Sequence, residues 1–389
     1  MNYTKKQLGQ YIDVLSGFAF KSKDFTNVGI PVIKIKNINP PYVSLEDISC
    51  VPISVAYQNP KYILKRGDVL IAMTGSHINQ IASVVGRVGR VRYDDLTVLN
   101  QRVGKIINKN DEYSNLDYIY YFLSQYDVKV ELAQKAGGAA NQANISPSDI
   151  KNLYFPCPPI EIQNKIATIL SRYDSLIENY QKQIKLLEES AQRLYKEWFI
   201  DFRFPGHENT KIVDGVPEGW EKKKVGDVTP IKTGKKDANF GTNDGPFPFF
   251  TCAQEPIKAP SYSFDTNAVI LAGNGDFNVK LYRGKFEAYQ RTYVLEPIND
   301  KMLYLLYFCI AENMKRLAIE ASGSTIKFLT KGMIENLVIN EPSTIVLDSF
   351  NQIIEPIRTQ KEKLISQIHH LTEARDRLLP KLMSGEIAV

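Results

Sequence analysis

The sequence predicts an α/β protein with an internal pseudo-two-fold repeat, in which two mixed α/β segments are separated by two long helices that form an antiparallel coiled coil. Apolar residues return at steps of four and three along residues 162–198, which predicts a long helix with a narrow apolar stripe. A shift of 184 positions carries that stripe onto residues 346–382. This recurrence indicates a tandem repeat whose unit is a globular segment followed by a long helix.

The two stripes match position by position, including one irregular step of four. The first stripe consists of Ile162, Ile166, Ile169, Tyr173, Leu176, Tyr180, Ile184, Leu187, Ala191, Leu194 and Trp198. The second consists of Val346, Phe350, Ile353, Ile357, Gln360, Leu364, Ile368, Leu371, Arg375, Leu378 and Leu382. Roughly 40 helical residues span about 60 Å. Because the first helix leads that far from the first segment, the second can lie along it only by running back, which predicts the antiparallel sense.

Each globular segment shows the same order of features before its long helix. A Gly-containing turn comes first, then strand-like runs, a helix rich in Tyr and Leu, and a polar loop. The strand-like runs are residues 30–36, 68–73 and 268–272, the helices cover about 116–132 and 302–318, and the polar loops are 137–144 and 322–327.

Two short motifs are predicted to correspond between the segments. The turn Thr74-Gly75-Ser76 is matched with Gly273-Asn274-Gly275, and Gln101-Arg102 with Gln290-Arg291. Pro356 lies inside the second long helix, where it is expected to remove a hydrogen bond and bend the helix.

The predicted domains follow from these features. They are residues 1–158, the first globular segment; 159–204, the first long helix; 205–342, a linker and the second globular segment; and 343–389, the second long helix and tail.

Composition narrows the class of protein. The chain is 43% hydrophobic and 23% charged, which is ordinary for a chain of 389 residues with two or three domains. It has no apolar run of membrane-spanning length and no signal peptide, so a cytoplasmic location and no membrane partner are expected. Its four cysteines and four histidines show no metal-ligand spacing. The net charge of +5 falls entirely within residues 1–160, which carry 18 Lys and Arg against 13 Asp and Glu.

Three sequence blocks carry a resemblance to a known family. The blocks are Trp198-Phe-Ile-Asp-Phe-Arg-Phe-Pro-Gly-His-Glu208, Val216-Pro-Glu-Gly-Trp220 and Leu371-Thr-Glu-Ala-Arg-Asp-Arg-Leu-Leu-Pro-Lys-Leu-Met-Ser-Gly-Glu386. With two globular segments and two long helices around them, the chain resembles the specificity subunit of type I restriction-modification systems along essentially its whole length.

The resemblance implies a non-catalytic role in DNA recognition. Two target-recognition domains would each read one half of a split site in double-stranded DNA, and the coiled coil would set their distance. The subunit would dock two adenine-methylating (modification) subunits, and two motor-nuclease (restriction) subunits would join in the full complex. No cofactor, metal or catalytic residue is expected in this chain.

Asn39-Pro-Pro-Tyr42 favours a different class, a self-contained adenine methyltransferase. The tetrapeptide is the one with which amino-methyltransferases hold a flipped adenine, through the Asn oxygen, a Pro carbonyl and the aromatic ring. However, no Gly-rich cofactor loop precedes it, so a loop after a strand is the alternative. A coiled-coil scaffold without DNA binding is a third hypothesis, which leaves both globular segments unexplained.

The candidate DNA contacts fall into three groups. Lysines in loops suit phosphate contact, although plain solvation is the alternative for each: Lys21, Lys23, Lys34, Lys36, Lys232, Lys235, Lys236 and Lys327. Polar loop residues suit base-edge contact unless they are linkers: Asn141, Gln142, Asn144, Ser324 and Thr325. The third group consists of turn residues and of arginines that could contact DNA or brace their own domain: Ser76, His77, Asn274, Arg102 and Arg291.

Overall fold

The computed structural model describes residues 3–75, 84–136, 143–323 and 327–389. The chain divides into two compact units, which we call the first unit (Met1–Asn179 with Gln367–Val389) and the second unit (Tyr180–Ser366). The unit boundaries fall inside the two long helices, so each long helix is divided between the two units.

The first unit is built largely from strands and short helices. Its strands are β1 (Lys5–Gln7), β2 (Ile12–Ser16), β3 (Ile30–Ile33), β4 (Ile38–Asn39), β5 (Tyr42–Val43), β6 (Ser49–Val51), β7 (Ile63–Leu64), β8 (Val69–Ala72), β9 (Thr74–Gly75), β10 (Val88–Arg90), β11 (Thr97–Leu99), β12 (Val103–Asn108), β13 (Ala143–Asn144) and β14 (Tyr154–Pro156). Its short helices are α1 (Ile53–Tyr57), α2 (Leu116–Leu123), α3 (Tyr126–Lys135) and α4 (Pro147–Lys151).

Two sheets form the body of the first unit. Six strands pair in the order β2-β12-β8-β10-β5-β4, and four pair in the order β6-β3-β11-β7. Every residue of the central strand β8 is buried, as expected for a continuous apolar run with a neighbour on each side. The main core packs β8 against α2 and α3, and it also contains Ile166 and Leu170 of the first long helix and Leu382 and Met383 of the second.

The first long helix, α5 (Ile160–Tyr195), continues into one wider π-helical turn, Lys196–Ile200. The second unit then adds strands β15 (Ile212–Val213), β16 (Val216–Pro217), β17 (Glu221–Lys224), β18 (Ile231–Thr233), β19 (Phe247–Phe250), β20 (Ile257–Ala259), β21 (Phe264–Ala272), β22 (Val279–Ala288), β23 (Thr292–Leu295) and β24 (Val338–Glu341). Its helices are α6 (Val225–Val228), α7 (Leu303–Glu320), α8 (Lys331–Glu335) and the second long helix, α9 (Thr344–Ser384).

The two units repeat one topology, which confirms the predicted fold class. The six-stranded sheet of the second unit has the order β18-β23-β21-β22-β19-β20, and its successive pairings are antiparallel except for the parallel pair β19–β22. The first unit has the same sequence of pairings, with β5–β10 as the parallel pair. A backbone bond from Leu8 to Leu153 (2.7 Å) recurs from Val225 to Leu337 (2.8 Å).

The long helices pack antiparallel to each other within each unit. In the second unit Glu188 pairs with Lys361 at 2.5 Å, while Trp198, in the π-helical turn that follows α5, contacts Phe350, which comes earlier in α9 than Lys361. In the first unit Asp174 pairs with Arg375 at 2.8 Å. The helix α9 is continuous through Pro356.

The predicted stripes differ in part from the buried faces. Leu176 and Ile353 are both 42% exposed, and Gln360 is also exposed. On α5 the buried positions include Ala167 and Asp174, which lie beside the stripe. The reason is that each long helix packs both on the other helix and on a globular core, so a single heptad stripe describes only one of its two contacts.

An aromatic cluster joins the end of α5 to the second unit. The Phe199 ring lies 4.8 Å from that of Phe350 and 5.6 Å from that of Trp220, and Phe204 lies 4.9 Å from Trp220 (centroid distances). Trp198 is also buried. Two of the sequence blocks that carry the family resemblance therefore pack against each other in one core.

Candidate nucleic-acid interface

In the first unit, a two-residue ladder joins Thr74-Gly75 to Ala143-Asn144, and we call this ladder, with the Gln101-Arg102 turn beside it, the loop root. Strand β9 pairs with β13, and the Thr74 hydroxyl donates to Asn144 Oδ1 at 2.8 Å. Arg102 Nη1 donates to Thr74 Oγ1 at 3.4 Å and to Asn144 Oδ1 at 3.3 Å. The structure thus brings together two predicted site residues, Arg102 and Asn144, and adds Thr74, which sequence reasoning missed.

The same root recurs in the second unit with different side chains. Asn274 forms an isolated β-bridge with Phe328, and the Gly273 amide donates to the Arg291 carbonyl at 2.9 Å. The equivalent bond in the first unit runs from Met73 to the Arg102 carbonyl at 3.0 Å. The predicted match of Thr74 with Gly273 is therefore wrong by one residue: Thr74 corresponds to Asn274.

Gly273 is required by close packing rather than by a phosphate. A Cβ at this position would lie 2.4 Å from the Arg291 carbonyl oxygen and 2.9 Å from the Tyr293 ring. Such distances are too short for any side chain, so only glycine allows the strand and the Gln-Arg turn to approach this closely.

The two arginines of the matched Gln-Arg motifs differ in their surroundings. Arg102 is exposed but tied to the loop root. Arg291 is also exposed, and within the described parts of the chain its side chain makes no hydrogen bond or ion pair. The bracing contact is therefore found for Arg102, and none is found for Arg291 within the described residues.

The four lysines predicted in the first unit divide into two pairs. Lys21 and Lys23 are exposed on a 3-10 turn. Lys34 donates to Ser49 Oγ at 2.9 Å and lies 4.1 Å from the centre of the Phe25 ring. Burial, helped by neighbouring Lys36, lowers the pKa of Lys34.

Lys36 forms a close ion pair with Asp47. This carboxylate already neutralises part of the lysine charge, whereas Lys21 and Lys23 are exposed. Contact of these four lysines with DNA stays a prediction.

The lysines predicted in the second unit are similarly mixed. Lys232 pairs with Glu296 at 3.0 Å, and Lys236 lies 4.4 Å from the centre of the Phe240 ring. Lys235 and Lys327 are exposed. Hydrogen bonds from Thr266 and Lys232 hold the pKa of Glu296 below its usual value, so Lys232 faces a charged carboxylate.

The remaining predicted contacts lie outside the described residues. They are Ser76, His77, Asn141, Gln142, Ser324 and Thr325. Their assignment to DNA contact stays a prediction, but Gly75, Ala143, Gly323 and Lys327, which border these segments, are described and flank the loop roots.

The methyltransferase-like tetrapeptide forms a hairpin turn. Asn39 pairs with Tyr42 across β4 and β5, at the edge of the six-stranded sheet. The Pro41 carbonyl accepts from the Arg90 amide at 3.0 Å and from the Tyr120 hydroxyl at 3.3 Å. These two bonds tie the turn to β10 and α2.

Sequence reasoning also missed two polar clusters, one in each unit, that attach the globular part of the unit to a long helix. In the first unit Asp174 of α5 accepts from the Tyr121 hydroxyl at 2.7 Å, and Arg92 lies 3.6 Å away. In the second unit Arg283 grips both oxygens of Glu355 in α9. Arg375 was a possible signal, because it interrupts an otherwise apolar stripe.

The described parts of the chain, residues 3–75, 84–136, 143–323 and 327–389, contain neither a metal-binding cluster nor a membrane-spanning helix. No three His, Cys, Asp or Glu side chains in those parts come together in a way that could hold a metal ion. None of the helices found there is both long and apolar enough to cross a membrane.

The chain belongs to the family described as type I restriction modification DNA specificity domain, whose profile matches residues 1–189 and 217–364. This confirms the resemblance read from the sequence blocks. The MjaIX specificity subunit of Methanocaldococcus jannaschii, a type I restriction enzyme subunit, is 31% identical over 324 residues, which are 75% of this chain and 73% of the relative.

Two other relatives agree with this assignment. The EcoDI specificity subunit of Escherichia coli is 39% identical over 176 residues, and the match spans 44% of this chain and 39% of that relative. The crystal structure of a type I restriction-modification S subunit from M. genitalium matches with a TM-score of 0.62 at 17% identity, covering 98% of this chain and 96% of the other. At that identity the likeness shows the shared fold.

Proposed function

We propose that this chain is the DNA-recognition subunit of a type I restriction-modification complex and binds a two-part site in double-stranded DNA. The observation that carries the proposal is the repeated loop root, in which the Arg102 and Arg291 carbonyls receive equivalent backbone bonds. Two copies of one scaffold that present different side chains suit two half-sites of different sequence.

Each unit would combine positioning and reading contacts. Exposed lysines such as Lys21, Lys23, Lys235 and Lys327 would contact phosphates, which supply much of the affinity and little of the specificity. The loops that leave the roots would read base edges, where Asn and Gln can form paired bonds with adenine. The long helices would hold the spacing between half-sites.

The chain itself would perform no chemistry. The methyl transfer would belong to two modification subunits docked on this chain, and two restriction subunits would complete the nuclease form. Family membership supports these partners. The alternative of a self-contained adenine methyltransferase rests on Asn39-Pro-Pro-Tyr42 alone, and no Gly-rich cofactor loop precedes that tetrapeptide.

Co-expression with the modification subunit encoded beside it tests the proposal. In a host without adenine methylation, we expect sequencing to find methylated adenines at one two-part motif, and none when this chain is omitted. Methylation without this chain, or a single undivided motif, would contradict the proposal. Equilibrium dialysis of the isolated chain with S-adenosylmethionine distinguishes this proposal from the methyltransferase alternative. The alternative requires clear binding of S-adenosylmethionine by this chain alone.

A further inference from the structure

A directional contact ties the globular sheet of each unit to a long helix. In the second unit Arg283 Nη1 and Nη2 lie 3.0 and 3.1 Å from the two Glu355 carboxylate oxygens. The Tyr304 hydroxyl donates to the same carboxylate and accepts from Arg283 at 3.0 Å. Sheet, helix α7 and long helix α9 thus meet at one carboxylate, and we call this set the second clamp.

The first unit has a related contact, in which the tyrosine makes the short hydrogen bond and the arginine lies further from the carboxylate. Arg92 Nη2 lies 3.6 Å from Asp174 Oδ2, and the Tyr121 hydroxyl of α2 donates to that oxygen at 2.7 Å. Arg375 of α9 holds the other oxygen at 2.8 Å. We call Arg92, Asp174 and Tyr121 the first clamp.

The two clamp arginines occupy equivalent places in the repeat. Val69 of β8 pairs with Arg90, and Arg92 follows two residues later. In the second unit the corresponding Val269 pairs with Leu281, and Arg283 again follows two residues later.

The clamp carboxylates, by contrast, are not equivalent. The repeat shift of 184 carries Asp174 onto Arg358, so Glu355 lies about one helical turn earlier on its helix. The arginines therefore occupy equivalent positions in the two units, but their carboxylate partners do not. Only the pairing of an arginine with a long-helix carboxylate is shared.

We propose that the two clamps fix the angle of each recognition domain on the long helices, and thereby determine how strictly the complex requires one spacing between its half-sites. This inference rests on the proposed function. Apolar packing is non-directional, whereas the two-pronged Arg283 bond of the second clamp and the short Tyr121 hydrogen bond of the first clamp resist rotation. One added base pair shifts a half-site by about 3.4 Å and turns it by roughly 34°. A domain held at a fixed angle rejects that displaced half-site, and a loosened domain accepts it.

Glu355→Gln is the main test variant, because Glu355 is 43% exposed and its replacement leaves no fully buried charge. Glu320→Gln is the control, since Glu320 pairs with Arg316 on the exposed surface of α7, the helix that also carries Tyr304 of the second clamp. Each variant is co-expressed with the modification subunit in a host that carries a plasmid library. The library holds the two wild-type half-sites at every spacing from a few base pairs shorter to a few longer.

We expect Glu355→Gln to raise one ratio about tenfold, which corresponds to about 1.4 kcal/mol. The ratio is methylation at spacings one base pair longer or shorter than native, divided by methylation at the native spacing. Half-site sequences stay unchanged, and Glu320→Gln keeps the wild-type profile. A uniform loss at all spacings by Glu355→Gln would overturn the inference, because a purely structural role predicts that result. If Glu355→Gln fails to accumulate, Arg283→Lys takes its place, because it keeps the positive charge and loses the two-pronged guanidinium. Arg283→Lys must then raise methylation at non-native spacings, and an unchanged spacing profile would overturn the inference.

The result for the wild-type complex distinguishes failure of the proposed function from failure of the clamp inference. If the wild-type complex methylates no two-part motif, the proposed function fails. If it methylates such a motif and the clamp variants keep its spacing profile, the clamp inference alone fails.

Discussion

Asp174 and Arg375 form a nearly buried ion pair, with 2.8 Å between carboxylate and guanidinium and side-chain exposures of 1% and 15%. Burial disfavours the arginine charge, but the bonds to Asp174 and Asp376 outweigh it and raise the pKa of Arg375. We expect Asp174→Asn to lower the free energy of unfolding by about 3 kcal/mol, because it leaves Arg375 without its buried partner. Urea denaturation of the full chain measures this change.

The neighbouring Asp376 provides the control. Its side chain is 58% exposed, so Asp376→Asn is expected to change stability by less than about 1 kcal/mol. The double variant Asp174→Leu with Arg375→Leu removes both charges of the pair but leaves the buried Tyr121 hydroxyl without its acceptor and Arg92 with one carboxylate fewer, so it should recover only part of the loss. Equal losses for the Asp174 and Asp376 variants would contradict the assignment.

The second clamp makes stability depend on pH in the acid range. Burial by itself raises the pKa of Glu355, but Tyr304, Arg283 and Arg358 outweigh it and hold the pKa below its usual value. A carboxyl with a lowered folded pKa stabilises the fold above its unfolded pKa, about 4.3 for Glu, and loses that effect as pH falls through the folded value.

We therefore expect wild type to be more stable than Glu355→Gln at pH 7 and at pH 5, and the gap in urea midpoint to close below pH about 4. Glu320→Gln serves again as the control and should show a small gap at every pH. A gap that stays constant down to the lowest pH at which the chain folds would show that charge on Glu355 does not stabilise the fold.

The matched arginines should respond differently to removal. Arg291→Ala is expected to weaken DNA binding of the complex and to reduce the slope of log affinity against log salt by about one, as for loss of one phosphate contact. Arg102→Ala should act instead through the loop root, so Thr74→Val, which removes one of its acceptors, should weaken first-half-site recognition in the same direction. If Thr74→Val binds like wild type while Arg102→Ala does not, Arg102 contacts DNA directly.

The proposed spacer role of the long helices predicts a change in target spacing. Inserting one heptad after Leu187 and one after Leu371 keeps the apolar pattern in phase and adds about 10 Å of helix. Because B-DNA rises about 3.4 Å per base pair, the half-sites would have to separate by roughly three base pairs and rotate by about 100°. Action on the natural site should be lost, and any methylated site that returns should keep both half-site sequences. Full activity at the native spacing would contradict the spacer role.

Much of the fold could be predicted because the long helices repeat a strong pattern. Heptad spacing depends on residues a few positions apart, so α5 and α9 were visible in the sequence. The exposed Leu176 and Ile353 show the limit of this reasoning, since a helix that contacts two bodies buries more than one stripe.

Contacts between distant positions could not be predicted in the same way. The Asp174 carboxylate receives Tyr121, 53 positions earlier, and Arg375, 201 positions later. Periodicity contains no information on such pairs. Likewise, the sequence marks Lys36 as basic, but the Asp47 that neutralises it is found only after the chain has folded.

The composition of the first unit has a consequence for synthesis on the ribosome. The second unit is one continuous stretch, Tyr180–Ser366, so it can fold as soon as that stretch emerges. The first unit needs Gln367–Val389 as well, and Leu382 and Met383 belong to the same core as Leu8. Residues 1–179 are translated first, but they cannot complete their core until residues 367–389 have been translated. Until then, the apolar surface that those last residues cover stays exposed. During translation, the core of the first unit is therefore the last to be completed.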